Sequence, residues 1–354
     1  MRGAGHLEEA ARRMACPQAG STKRIYDSRW SIFGEWCDTW ELDPFEATVP
    51  QVAAFLLFLF HELERSMQTI KGFRTAIASG LIGAGKEDIG KNRELSRLIT
   101  SLTRERPVTR NPVPGWNLSF VLWSLLAEPF EPMGTIPLKL LTWKTVFLLL
   151  LAAGCRRGEL HAVEHSTVKH TDGWSMVHLQ PGPQFVHKTQ VRGSVVRKPK
   201  RISIPHLKPL LGEDLDLERT LCPNRALKYY LARTEQLRKP GQKLLFISFD
   251  KERHQNKEVH KNTISSWVRK CIQFCYQNAK DNPAELVGAR AHDLRGMAAT
   301  LAWDGCTDIE DILQAGSWTT ANTFISHYVK DGVMDSEGFS RVGPIVAAQR
   351  VLEG

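Results

Sequence analysis

Apolar residues recur at helical spacing through most of the chain. Tyr26, Trp30, Phe33, Cys37 and Trp40 fall on one helical face, and Asp43-Pro44 breaks that run. A second helix is predicted over residues 50–63, carrying Val52, Phe55, Leu56 and Leu59. A third, capped by Ser66 or a neighbour, turns Ile70, Phe73 and Ile77 inward and sets Lys71 and Arg74 on another face; a fourth follows near residues 93–102. The stretch 104–116 interrupts the pattern with Pro107, Pro112, Pro114 and several arginines, and reads as a linker. A strongly apolar helix is then expected over residues 138–152. Further on, β-formers (Val186, Val191, Val195, Val196, Ile202) suggest a strand, a loop and a returning strand, and residues 244–249 a short buried strand. Residues 263–276 read as a helix with Trp267, Val268, Cys271 and Cys275 on its apolar face. The fold class expected is mainly α with a small antiparallel β-sheet: a helical N-terminal domain and a mixed α+β second domain.

Two stretches add chemistry to this frame. In the helix opened by Ala291-His292-Asp293-Leu294-Arg295-Gly296, Leu294, Met297, Ala298 and Leu301 would face a core, while His292, Arg295 and Ala299 share another face. Thr307-Asp308-Ile309-Glu310 reads as a capping box that opens a helix through Leu313, with Gly316 ending it. A third short helix carries Phe324, His327 and Tyr328. An arginine fork fits phosphate oxygens, a histidine donates a further hydrogen bond, and a tyrosine hydroxyl is a possible covalent nucleophile. The second stretch, Ala153-Gly154-Cys155-Arg156-Arg157-Gly158-Glu159-Leu160, follows the apolar helix. A glycine at the helix break lets the next turn start near a phosphate, and Glu159 is spaced to orient the fork of Arg156.

Charge sharpens the picture. The 354 residues suggest two domains and carry a net charge of +9, which favours a polyanionic partner such as nucleic acid. Between Gly173 and Gly212 there is no Asp or Glu, yet His187, Lys188, Arg192, Arg197, Lys198, Lys200 and Arg201 fall there. A hairpin with an uncompensated positive face is a DNA contact by this reading. The 7 cysteines are odd in number and scattered, so no disulfide framework is implied and a reducing compartment fits. The apolar run from Val146 to Ala153 is too short to span a bilayer, and no apolar signal core accompanies Glu8 and Glu9, so neither a membrane partner nor secretion is expected. Residues 80–86 have the glycine and lysine spacing of a phosphate-binding loop, but Glu87 stands where Ser or Thr should bind magnesium, and an inter-helix turn is the better reading. Cys271 and Cys275, with His254 and His260, could suggest zinc; the cysteines sit on an apolar stripe and read as buried thiols. No carboxylate cluster has metal-ligand spacing, and neither a metal nor another cofactor is expected.

His292-x-x-Arg295, then Trp318 after Gly316, then Tyr328 resembles, in order, the catalytic box of tyrosine recombinases, the phage-integrase superfamily. The wording from Trp318 to Phe324 is most similar to recombinases of eukaryotic DIRS- and Ngaro-type retroelements. The step from Trp318 to Tyr328 is one residue longer than in many phage and bacterial members, which would put His327 in register; Tyr328 is the only tyrosine after Tyr276. The resemblance implies that Arg156, two positions after a glycine and three before an acidic residue, is the first catalytic arginine; Arg157 does not fit that register. His187-Lys188-Thr189 resembles the family hairpin with its catalytic lysine, making Lys188 the general acid, with Lys198 and Lys200 as nearby competitors.

The implied function is site-specific cleavage and rejoining of DNA through a 3′-phosphotyrosine, without ATP or metal, for integration of a mobile element. The catalytic set is Arg156, Lys188, His292, Arg295, Trp318 and Tyr328, supported by Glu159; the DNA-contacting set is Lys71, Arg74, Arg192, Arg197, Lys198, Lys200 and Arg201. The implied organisation is a flexible arm (1–22), a helical core-binding domain that clamps DNA (23–104), a linker (105–115), the catalytic domain (116–335) and a tail (336–354) that can dock on a neighbouring subunit. The implied partners are double-stranded DNA and further copies of the chain, as a homotetramer on two duplexes. The implied location is the nucleus, or the cytoplasm if the source is prokaryotic. Two alternatives remain: a type IB-like topoisomerase acting on one duplex, and a catalytically inactive DNA-binding relic.

Overall fold

The computed structural model describes residues 20–107, 114–186, 201–207, 219–249, 257–278, 288–304, 308–316, 321 and 324–325. The chain divides into two compact units, Met1–Thr109 and Arg110–Gly354, and the division falls inside the proline- and arginine-rich stretch.

The first unit is helical: α1 (Gly20–Thr39), α2 (Val49–His61), α3 (Met67–Gly83) and α4 (Arg93–Glu105). Local chemistry sets the helix starts. Gln51 Oε1 accepts the Thr48 amide at 2.8 Å, Ser66 Oγ accepts that of Thr69 at 3.3 Å, and Asn92 Oδ1 takes the amides of Glu94 and Leu95 at 2.9 and 3.1 Å. The inward faces meet around Phe33, Phe55 and Phe73, whose rings pack edge-to-face at 5.0 and 5.7 Å. Trp40 departs from the expected face. Its amide bonds to Cys37 O in a tightened turn and Glu41 takes φ +54°, so the chain leaves the helix and Trp40 stays 65% exposed. Trp36 packs on Phe55 instead, at 5.3 Å. The glycine-rich stretch 80–86 is the end of α3 and its turn: Gly85 has φ +81° and Lys86 pairs with Glu46 at 2.7 Å.

The second unit is built round α6 (Leu138–Ala153), preceded by α5 (Leu118–Leu125) and buried at every position from Leu140 onward. A helix apolar all round must sit inside. It is followed by a short helix α7 (Arg157–His161), then strands β1 (Lys169–His170), β2 (Met176–Leu179) and β3 (Ile202–Pro205), and helices α8 (Pro223–Thr234), α9 (Lys261–Gln277), α10 (Ala291–Asp304) and α11 (Ile309–Gly316). Helices α8, α9 and α10 all pack on α6. Its one buried cation, Lys144, donates to Leu125 O and to Glu131 Oε1, both at 2.6 Å, and Arg225 of α8 reaches the same carboxylate at 3.0 Å. Burial pulls the Lys144 amine down to about 8 although Glu131 opposes the shift.

The sheet runs β1-β2-β3, antiparallel throughout, with Val177 opposite Ile204 and His178 opposite Ser203. A strand and a returning strand are therefore present in the acid-free stretch, but of the β-formers expected to build them only Ile202 lies in a described strand. β2 stops at Leu179, before Pro181, which cannot donate to a ladder, and Val186 lies outside it, 65% exposed. Residues 187–200, with the expected Val191, Val195 and Val196, lie outside the described residues. The expected strand over residues 244–249 is buried at Leu245, Phe246 and Ile247 but forms only isolated bridges, Glu164 to Leu244 and Ile247 to Glu258. Side chains take the place of a ladder: Tyr230 Oη accepts the Ile247 amide at 3.1 Å, and Arg238 donates to the carbonyls of Leu244, at 3.0 Å, and Leu245. At the start of α11, Asp308 Oδ1 accepts the Glu310 amide at 2.7 Å; Thr307, the first residue of the expected capping box, lies outside the described residues. No described helix is long and apolar enough to cross a membrane.

Candidate active site

The site begins where α6 ends. Gly154 takes the left-handed conformation, φ +53°, that closes the helix, and its amide bonds back to Leu150 O at 3.1 Å. Two residues on, Arg156 is extended and stands at the cap position of α7. Glu159 grips it twice: Oε2 accepts the Arg156 amide at 2.7 Å and Oε1 accepts Nη1 at 3.1 Å. The two side chains are only 19% and 8% exposed, so the guanidinium is held in one orientation. Arg157 diverges: it is exposed, and its Nη1 donates to Ser265 Oγ of α9 at 2.6 Å. Adjacent arginines of equal charge therefore have different tasks, one oriented by a carboxylate and one bracing a helix.

Helix α10 supplies the second arginine. Leu294, Met297, Ala298 and Leu301 are buried against the core, as the spacing predicts. Arg295 is buried too, 1% exposed, and its Nη1 donates to Gly154 O at 2.6 Å. His292, one turn earlier on the same helix, is exposed. Ala299 joins Ala302, Ile312 and Phe324 in a separate small core between α10 and α11. Arg156, Glu159 and Arg295 thus converge on the Gly154 turn, with His292 on the helix that carries Arg295. Cys155 lies between them: burial pushes its thiol up, Glu159 pushes it further, and Arg295 opposes.

Sequence reasoning missed one support. Asp293 Oδ2 accepts the Arg290 amide at 2.8 Å and Trp116 Nε1 at 3.3 Å, fixing the first turn of α10. An acidic residue at the third helical position, where it can reach back to the amide ahead of the helix, was the available signal.

Other expected positions separate into two groups. Lys188, Trp318 and Tyr328, together with Arg192, Arg197, Lys198 and Lys200, lie outside the described residues. Arg201 is exposed and immediately precedes β3. In the first unit Lys71 and Arg74 are half-buried and line one cleft of about 440 Å³ with Lys91. Arg74 is also structural, donating from Nη2 to Gly90 O and, at 3.2 Å, to Ser96 Oγ. Cys271 and Cys275 are buried on α9, and His260 Nδ1 caps that helix by accepting the Asn262 amide at 3.3 Å.

The fold has counterparts among solved structures. A lambda integrase dimer bound to a COC′ core site matches 95% of this chain and 79% of its own, with a TM-score of 0.54 and 13% identity. A lambda integrase tetramer bound to a Holliday junction matches 94% of this chain and 78% of its own, with a TM-score of 0.51 and 15% identity. No family model and no curated protein matches the chain. The mainly helical architecture with its small antiparallel sheet is therefore that of the integrase fold.

Proposed function

We propose that the chain is a site-specific DNA recombinase that cleaves and rejoins strands through a 3′-phosphotyrosine on Tyr328. The observation that carries this reading is the Gly154 turn, where Arg156, gripped by Glu159, and the buried Arg295 are anchored together. Two guanidiniums held in this way suit the non-bridging oxygens of a phosphodiester, whose charge grows in the transition state. Tyr328 Oη attacks phosphorus and gives up its phenol proton to solvent water, the bond to the 5′-oxygen breaks, and Lys188 supplies the proton to that oxygen. His292 and Trp318 donate the remaining hydrogen bonds; tryptophan has one N–H and cannot act as a base. Attack by the 5′-hydroxyl of a partner strand reverses the step, conserves the bond energy and requires no ATP.

In the same reading residues 23–104 form the DNA-clamping domain, with Lys71 and Arg74 on phosphates, and Arg192, Arg197, Lys198, Lys200 and Arg201 meet the duplex from the hairpin of the catalytic domain, residues 116–335. The chain works as a homotetramer on two duplexes, with residues 336–354 docking on a neighbouring subunit, and serves integration of a DIRS- or Ngaro-type mobile element in a nucleus. The net charge of +9 supports the DNA partner. The test is a strand-joining assay on two differently marked duplexes carrying element termini. Joined products are expected. Relaxation of a single supercoiled duplex without joining would indicate a topoisomerase, and binding without cleavage an inactive relic.

A further inference from the structure

The chain enters the second unit beside α10. Among the described residues Trp116 is the first buried one after the linker, residues 105–115. Its ring meets that of Phe147 on α6 edge-to-face, at 6.2 Å. The next residue is fixed from two sides. The Asn117 amide donates to Tyr276 Oη of α9 at 2.7 Å, and Asn117 Oδ1 accepts the Phe120 amide at 3.0 Å to cap α5. Tyr276 in turn packs on Phe120 at 4.7 Å. Helices α5, α6 and α9 thus hold Trp116 in place, and its Nε1 is a donor at a fixed position.

That donor reaches the helix that carries the proposed cradle. Trp116 Nε1 donates to Asp293 Oδ2 at 3.3 Å, and the same oxygen accepts the Arg290 amide at 2.8 Å. The first amides of a helix have no partner within it, and a first turn frays where nothing else holds it. Asp293 stands between His292 and Arg295, and all three fall in the first five residues of α10. Arg295 is anchored through its own side chain, at Gly154 O. His292 is exposed on the same turn, so its ring moves with the turn. The residue that ends the linker therefore bears directly on the backbone that presents His292 and Arg295.

We infer that Trp116 is a positioning residue for strand cleavage: acting through Asp293, it sets the first turn of α10 and with it His292 and Arg295. The inference rests on the recombinase reading of the same site. The indole N–H is the group that matters. Phenylalanine at this position keeps a ring against Phe147 and has no donor. Asparagine at position 293 keeps an acceptor oxygen for Trp116 and for the Arg290 amide, and alanine has none.

The experiment compares W116F, D293A, D293N and the double variant W116F/D293A with the unaltered full chain. Single-turnover cleavage of a nicked duplex is followed at saturating DNA, duplex affinity is measured separately, and hydrogen exchange is read by mass spectrometry on peptides covering residues 290–296. W116F and D293A are expected to cleave about tenfold more slowly, the loss of one charge-assisted hydrogen bond, with duplex affinity within about twofold of wild type. D293N should recover most of the rate lost in D293A, and W116F should add nothing to D293A, because the two residues share one interaction. A chain that is merely destabilised loses amplitude of cleaved product, not rate constant. Exchange at residues 290–296 should be faster in W116F; if W116F does not fold, D293A against D293N makes the same comparison. A W116F rate constant within about twofold of wild type, additive losses in the double variant, or unchanged exchange at residues 290–296 would each overturn the proposal. If the unaltered chain never cleaves, the recombinase reading falls, and the exchange still decides whether Trp116 holds α10.

Discussion

The Arg295 guanidinium donates from Nη1 to the carbonyl oxygen of Gly154 at 2.6 Å, across 141 positions of sequence. That bond fixes α10 to the end of α6, two residues before Arg156. One arginine thus helps to set the place of the other, and both act in the proposed cradle.

Arg295→Lys keeps the charge and loses the fork. A lysine is a point charge that cannot hold Gly154 O and a phosphate together. Cleavage by R295K is expected to fall by at least about 100-fold, the usual scale for losing one preorganised donor. Single-turnover cleavage of a nicked duplex measures it; a rate within about threefold of wild type would make Arg295 purely structural.

Gly154→Ala tests the turn itself. An added Cβ would lie 3.8 Å from Ala298 Cβ, an ordinary contact, so only the left-handed conformation at φ +53° opposes it. The cost is expected to be about 1–2 kcal/mol. Urea denaturation reads it. No loss of stability would mean that the turn relaxes freely and does not hold Arg156.

Much of this arrangement was legible in the sequence. Leu294, Met297, Ala298 and Leu301 marked the buried face of α10, and Gly154 marked the break before Arg156, because helical period and glycine chemistry are local properties. What escaped depended on partners distant in sequence. The Trp116–Asp293 bond spans 177 positions, and nothing near either residue announces it. The backbone of residues 244–247 reads as a strand, yet Tyr230 and Arg238 take its hydrogen bonds, which no periodicity can reveal. Trp40 misled because the helical face continues in sequence one residue beyond the helix, which ends at Thr39.

The buried Lys144 gives a pH signature. Its value in the folded chain is about 8 against 10.5 for the free side chain. Between those values the unfolded chain binds the extra proton, so this group makes stability rise with pH, whereas below about 8 its buried charge is a constant cost. Lys144→Met removes the effect. Denaturation midpoints at pH 7.5 and 9.5 should show wild type gaining on K144M as pH rises; a difference that stays constant or reverses would show that Lys144 titrates normally.

Lys188 is expected to protonate the leaving 5′-oxygen. An alkoxide leaves poorly without a proton, whereas a thiolate does not need one. Lys188→Ala should cleave ordinary DNA very slowly, yet cleave a 5′-bridging phosphorothiolate at close to the wild-type rate. Rescue at Lys198 or Lys200 instead would shift the acid along the hairpin.

The most direct test of the central claim is to locate the covalent bond. The full chain is incubated with a nicked suicide duplex in excess chelator, since two arginines rather than a metal are assigned the phosphate charge. The trapped complex is digested and the DNA-linked peptide sequenced by mass spectrometry. The account predicts an adduct on Tyr328 that is absent from Tyr328→Phe, while that variant still binds the duplex. An adduct on another residue, or one that persists in Y328F, would contradict it.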